Sequence, residues 1–154
     1  MSDRDDATVR ETPADVIARC AVLHTRRAAR AVTAFFDAAL QPSGVRATQF
    51  TLLVGVAQAN GATISGLAAA VGMDRTTLAR DLHILERDGL VAIGIGRDRR
   101  VRVVRLTPAG HAAMTRALPR WAEAQGRIEG GLGDERWRAV LDDLEATTAV
   151  ADQG

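Results

Sequence analysis

Apolar residues recur at helical spacing along most of the chain. From Pro13, which suits a helix start, an Ala-rich helical pattern runs to about Leu40 and stops at Gln41-Pro42-Ser43-Gly44. A second helix over about 47–57 places Phe50, Leu53, Val54 and Ala57 on one face, and Asn60-Gly61 ends it. Thr63 then reads as the N-cap of a short helix carrying Ile64, Leu67, Ala68 and Val71, closed by Gly72. Asp74 caps the next helix, 75–88. Its Leu78, Leu82 and Leu85 make an aliphatic face, and Arg75, Thr76, Arg80, His83 and Arg87 make a polar one. After Gly89 the period falls from about 3.6 residues to about 2. Residues 90–93 and 101–106 read as strands around a turn, Gly94 to Arg99. Thr107-Pro108 starts another long helix whose seam, Met114, Leu118, Trp121, Gln125, Ile128 and Leu132, is regular enough to face another helix, with Pro119 expected to kink it. Past Gly130-Gly131 and Gly133, a last helix of about 134–149 aligns Trp137, Val140, Leu141 and Leu144. The pattern has no internal repeat and predicts a mainly α fold with one β-hairpin.

Composition bounds the size and class of the molecule. A chain of 154 residues, 25% charged, is expected to form one soluble globular domain with at most an appended helical element. Only 3% of residues are aromatic, so much of the apolar share is Ala, which buries little area, and a partner would help such a core. No stretch approaches the roughly 18 apolar residues a membrane helix needs, and the acidic start, MSDRDDATVRETPAD, lacks the basic and apolar regions of a signal peptide. A cytoplasmic location without membrane contact is therefore expected. One cysteine, Cys20, forms no internal disulfide.

The charge distribution is uneven. Residues 1–15 carry a net −3 and residues 121–154 a net −5, whereas residues 45–107 hold nine Arg against five acids. A basic centre between acidic ends suits a polyanion. The chain has no Lys, and the use of Arg alone carries little functional weight.

Two short helices joined by a tight Gly-containing turn, the second basic on its outer face, followed by a hairpin, form a helix-turn-helix with a wing. A helix fits the major groove of B-form DNA, and Arg near its N-terminus can bond guanine bidentately. Arg75, Thr76, Thr77 and Arg80 occupy those positions, and His83 lies one turn further in, within reach of a phosphate or simply at the surface. The hairpin tip, Arg97-Asp98-Arg99-Arg100, has the length and charge to follow the backbone or enter a minor groove. Arg102 and Arg105 alternate with Val and are expected to cover the outer face of the sheet. A solvated amphipathic face and a charged exposed turn are the plainer readings of these groups.

At these residues the chain resembles the MarR family of bacterial winged-helix regulators. The resemblance is carried by Pro42-Ser43-Gly44-Val45 with Gln49-Phe50, by Leu67-Ala68, and by Met73-Asp74-Arg75-Thr76-Thr77-Leu78. It continues through Leu85-Glu86-Arg87-Asp88-Gly89-Leu90-Val91, Asp98 with Arg100, and Leu106-Thr107-Pro108-Ala109-Gly110. It implies a homodimer with interlocked first and last helices, two winged lobes on a palindromic operator with half-sites about 34–36 Å apart, and an Asp98 that orients Arg100. The division then expected is a flexible 1–12, a helical dimerisation region of 13–41 and 108–150, and a DNA-binding lobe of 42–107. Gly66 stands where the family often has Glu, and Arg46 where it often has a capping Thr.

The first helix holds a second constellation. Cys20, His24 and Arg27 are spaced to share one helical face. A thiol among cations is a potential redox sensor. Equally, His24 and Arg27 could hold the carboxylate or phenolate of an effector, since the family commonly binds aromatic acids and phenols between its dimer helices and its lobe. The plain alternative is a small core thiol with solvated cations. The peroxide-sensing members pair their cysteine with tyrosines, of which this chain has none. Phe50 is either pocket wall or core.

Catalysis is not expected. The three His, at 24, 83 and 111, lack metal-ligand spacing, and no nucleophile elbow, P-loop or dinucleotide fingerprint occurs, so neither metal nor cofactor is anticipated. The function expected is that of a sequence-specific repressor released by a small aromatic or phenolic effector. A Cys20-based redox repressor and a winged-helix module that docks protein are the alternatives.

Overall fold

The computed structural model describes residues 11–59, 61–96 and 101–153. Among the described residues, seven α-helices and one hairpin follow in order: α1 Pro13–Arg19, α2 Ala21–Leu40, a 3-10 turn Gln41–Ser43, α3 Ala47–Ala59, α4 Ile64–Val71, α5 Arg75–Arg87, β1 Val91–Ile95, β2 Arg102–Leu106, α6 Pro108–Leu132 and α7 Asp134–Ala151. They group into two compact units, one ending at Ala34 and the other spanning Phe35–Gly154. Among the described residues, no helix is long and apolar enough to cross a membrane.

In the first unit, α1 opens on a capping box. Thr12 Oγ1 accepts from the Asp15 amide at 3.2 Å, and Asp15 Oδ2 accepts from the Thr12 amide at 2.9 Å. The single helix expected from Pro13 to Leu40 is instead broken at Cys20, whose backbone is extended (φ −66°, ψ 109°). No Gly or Pro marks the break. His24 explains how it is tolerated, because its Nε2 lies 3.1 Å from the Ala18 carbonyl, a group left without a helical partner at the end of α1.

The second unit has a core of aliphatic side chains. Leu40, Leu52, Leu53, Leu67, Leu78, Leu82, Leu85, Val56, Val91 and Val104 are all fully buried. On α3 the expected face needs correction. Phe50 and Leu53 are buried as expected, but Leu52 and Val56 join them while Val54 is 39% exposed. The reason is that α4, α5, α6 and β2 all pack on α3, so its buried arc is wider than that of a one-sided helix.

On α6 the buried row is Gly110, Ala113, Ala117 and Ala124, with Ala113 and Ala117 in the core, rather than the larger residues of the expected seam. Met114 and Trp121 are half-buried, and Leu118 is 50% exposed. Small side chains let a helix axis approach its neighbour, which selects this row for the inner face. Pro119 lies within α6 without interrupting it, and the helix continues through Gly130-Gly131 to end where Gly133 takes φ +83°. Leu141 and Leu144 on α7 remain exposed.

Candidate nucleic-acid interface

The helix pair α4–α5 is built by its caps. Thr63 Oγ1 accepts from the Gly66 amide at 3.0 Å and starts α4 without the Glu that would complete a capping box. On α5, Asp74 Oδ1 accepts from the amides of Thr76 and Thr77 at 3.0 and 2.9 Å. The hydrogen bonds from the Thr77 side chain and backbone, followed by the Thr76 amide and the charge of Arg80, outweigh desolvation and hold the Asp74 carboxyl below its ordinary value. Leu78, Leu82 and Leu85 anchor α5 in the core, which leaves Arg75, Thr76, Arg80, His83 and Arg87 exposed and Thr77 half-buried. The helix thus presents a cationic, hydroxyl-bearing face from its first turn onward.

Two carboxylates join elements around this helix, one fixing α5 and the other α3. Glu86 Oε1 accepts from the Ile93 amide at 3.0 Å, tying α5 to β1, while its Oε2 lies 3.4 Å from His83 Nδ1. Asp37, on α2, accepts from the Ala47 amide at 2.7 Å and so supplies the α3 cap that Arg46 does not. Gln49 adds a bond to the Arg46 amide at 2.9 Å. The Leu85-Glu86 motif marked the first only as part of a string, and a partner ten residues upstream gave no local signal for the second.

The hairpin is antiparallel with Val91 opposite Leu106, Ile93 opposite Val104 and Ile95 opposite Arg102. Arg102 and Arg105 therefore lie on opposite faces, not together on the outer one, because side chains three residues apart along a strand point to opposite sides. Both are exposed, and the Arg105 guanidinium lies over Gly61, 3.2 Å from where a Cβ would stand. Arg97, Asp98, Arg99 and Arg100 lie outside the described residues. The base of the wing is fastened to the next helix, where the Thr107 amide donates to the Leu90 carbonyl at 3.1 Å and its hydroxyl to the Gly89 carbonyl at 2.6 Å. Gly110 is required there, since a Cβ would come to within 1.9 Å of the Leu90 carbonyl oxygen.

Three comparisons bear on this arrangement. The profile of the MarR family matches residues 45–93, which run from the approach to α3 into β1. The transcriptional regulator MosR of M. tuberculosis, crystallised in complex with DNA, is 39% identical with a TM-score of 0.80, over 87% of this chain and 97% of MosR. The chain belongs to the MarR family. A second MosR crystal structure gives 36% identity and a TM-score of 0.78, covering 90% of this chain and 99% of that one. BpsR of Bordetella bronchiseptica shares the fold at 23% identity, with a TM-score of 0.76 over 85% of this chain and 94% of its own. A search of curated protein sequences gives no match.

The remaining candidate residues of this MarR-family protein separate into two places. Cys20, half-buried, lines an open groove of about 590 Å³ with Val22, Leu23, Arg26, Arg27, Ala29 and Arg30. His24 is not among the lining residues, because its ring is turned to the Ala18 carbonyl. The expected row of Cys20, His24 and Arg27 on one continuous helix is thus replaced by Cys20 at a helix break with Arg27 beside it. Phe50 is buried and lies against Trp121, ring centroids 6.1 Å apart, so it is part of the core. Nearby in sequence to the groove but in the second unit, Phe35 stacks edge-on with Phe36 at 5.5 Å and carries the Arg127 guanidinium over its ring at 4.9 Å. That cation–π pair had no signal in helical periodicity.

Proposed function

We propose that this MarR-family regulator is a homodimeric repressor that binds double-stranded DNA at a palindromic operator and is released by a small aromatic or phenolic effector. The observation that carries the DNA contact is the capped N-terminus of α5, with Arg75, Thr76 and Arg80 exposed opposite a fully buried leucine row. Residues 42–107 serve as the DNA-binding lobe, and 13–41 with 108–150 as the dimerisation region of a cytoplasmic protein. The base-reading set is Arg75, Thr76, Thr77 and Arg80, supported at the backbone by His83 and by Arg97, Arg99 and Arg100 of the wing, with Asp98 orienting Arg100. The 39% identical MosR was crystallised with DNA, and DNA binding by BpsR is regulated by 6-hydroxynicotinic acid, which supports the choice of partner and effector class. An effector acts by favouring the conformer whose lobes do not fit adjacent half-sites, a coupling of roughly 1–3 kcal/mol in typical cases.

A second reading has its own observation, the half-buried Cys20 in a groove with Arg26, Arg27 and Arg30. Oxidation of that thiol would replace the aromatic effector as the releasing signal. Selection of genomic fragments with the purified protein, with and without peroxide and alongside Cys20→Ser, separates the readings. An enriched palindrome that survives oxidation favours the aromatic effector. Loss on oxidation that requires Cys20 favours the thiol, and no enriched sequence at all favours a winged module that docks protein.

A further inference from the structure

The register of the hairpin divides its side chains between two faces. Val91 and Leu106, Ile93 and Val104, and Ile95 and Arg102 stand on one, and Ala92 with Arg105 and Gly94 with Val103 on the other. The first face is the core face, because Val91 and Val104 on it are fully buried. α5 lies toward the same core, since its Leu78, Leu82 and Leu85 share one buried cluster with Val91 and Val104, and Glu86 bonds the Ile93 amide at the edge of β1. At the last pair this face runs off the core. Ile95 is 60% exposed and Arg102 is exposed beside it, so an aliphatic side chain and a guanidinium face solvent on the recognition-helix side of the wing.

The opposite face differs. Ala92, Gly94 and Arg105 on it are exposed, and the Arg105 guanidinium is turned back over Gly61, while the free edge of β2 is taken up by the backbone bridge from Val103 to Thr63. Ile95 stands directly opposite Arg102, a cation whose aliphatic stem can lie along it while the guanidinium stays in solvent. We propose that the Ile95–Arg102 pair is a separate DNA contact at the base of the wing. Arg102 takes a phosphate, and Ile95 packs on the adjoining sugar. The pair rests on the DNA-binding reading above and adds to it a contact on β1 and β2 rather than at the hairpin tip. Charge complementarity fixes the occupant, because a guanidinium and an apolar edge side by side match the alternation of phosphate and deoxyribose along one strand.

The test uses the full-length protein and the selected operator duplex beside a random duplex, with affinity measured across a salt series. Arg102→Gln is expected to weaken binding to both duplexes by roughly tenfold, with the slope of log K against log salt reduced by about 1. Arg102→Lys is expected to keep the slope, Ile95→Thr to weaken binding at unchanged slope, and Arg105→Gln to leave the slope as it was. A natively folded Arg102→Gln protein with unchanged slope and affinity would overturn the proposal while leaving the DNA reading intact. An Arg105→Gln slope change as large as that of Arg102→Gln would also overturn it, since the effect would then belong to the general field of the hairpin. A wild-type protein that binds neither duplex sinks both readings together.

Discussion

The leucines of α5 and those of α7 follow the same helical spacing and meet opposite fates. Leu78, Leu82 and Leu85 are fully buried, whereas Leu141 is 42% and Leu144 51% exposed. In α5 the row faces a core already enclosed by α3, α4, the hairpin and α6. Among the described residues, α7 packs within its unit chiefly on α6. The difference teaches that an apolar stripe specifies a helix but not what covers it, and it separates a closed core from an open helix face that the proposed homodimer would cover.

The comparison is broken most forcefully in the lobe. Leu82→Ala is expected to cost about 2–5 kcal/mol in denaturant unfolding, because a closed core cannot collapse around the deletion. Leu144→Asp should leave the circular dichroism of the lobe unchanged while raising the dimer Kd by about 30-fold or more, equivalent to about 2 kcal/mol, in analytical ultracentrifugation. A wild-type chain that sediments as a monomer at all concentrations would remove the partner from the account of α7.

Two glycines of α6 sharpen the contrast between its core end and its open middle. Gly110→Ala forces a methyl into the Leu90 carbonyl and is expected to lose about 1–3 kcal/mol of stability with the wing base loosened. Gly126 has nothing within 4 Å of its Cβ position, so Gly126→Ala should raise the Tm by the equivalent of up to about 1 kcal/mol through helix propensity. A fall in Tm there, seen only above the dimer Kd, would place that part of α6 against the partner.

The smallest effect concerns Asp74. Its carboxyl is held below the ordinary value by the Thr77 and Thr76 bonds, so the unfolded chain binds more protons than the folded one in acid. The cap is fully effective above the unfolded value of about 3.9, and its contribution is lost as pH falls through the lower folded value. A pH series on Asp74→Asn, which keeps a neutral acceptor at the cap, should show a shallower decline in acid than the wild type. Equal slopes would assign the acid sensitivity to other carboxylates, Asp15 among them, whose carboxyl is likewise lowered by Thr12.

Local signals were legible where local chemistry decides the outcome. Thr63, Asp74 and Thr107 all cap the helices they precede, and each does so through a bond to an amide two or three residues on. The winged arrangement followed from the change of period after Gly89. The break at Cys20 was not legible, because it is sustained by a His24 ring reaching back six residues rather than by Gly or Pro. Arg102 and Arg105 are separable from the sequence, since strand parity alone puts residues three apart on opposite faces.

The order of elements, the leucine row of α5 and the cationic face opposite it were determined by the sequence itself, because helix periodicity and capping act over three or four residues. Tertiary structure decided which row of α6 turns inward, that Asp37 caps α3, that Glu86 ties α5 to β1, and that Gly110 admits the Leu90 carbonyl. Each of these depends on the separation of groups from different elements. Spacing along one element fixes a direction but not a distance, and hydrogen bonds and close packing are decided by distances of a few tenths of an ångström.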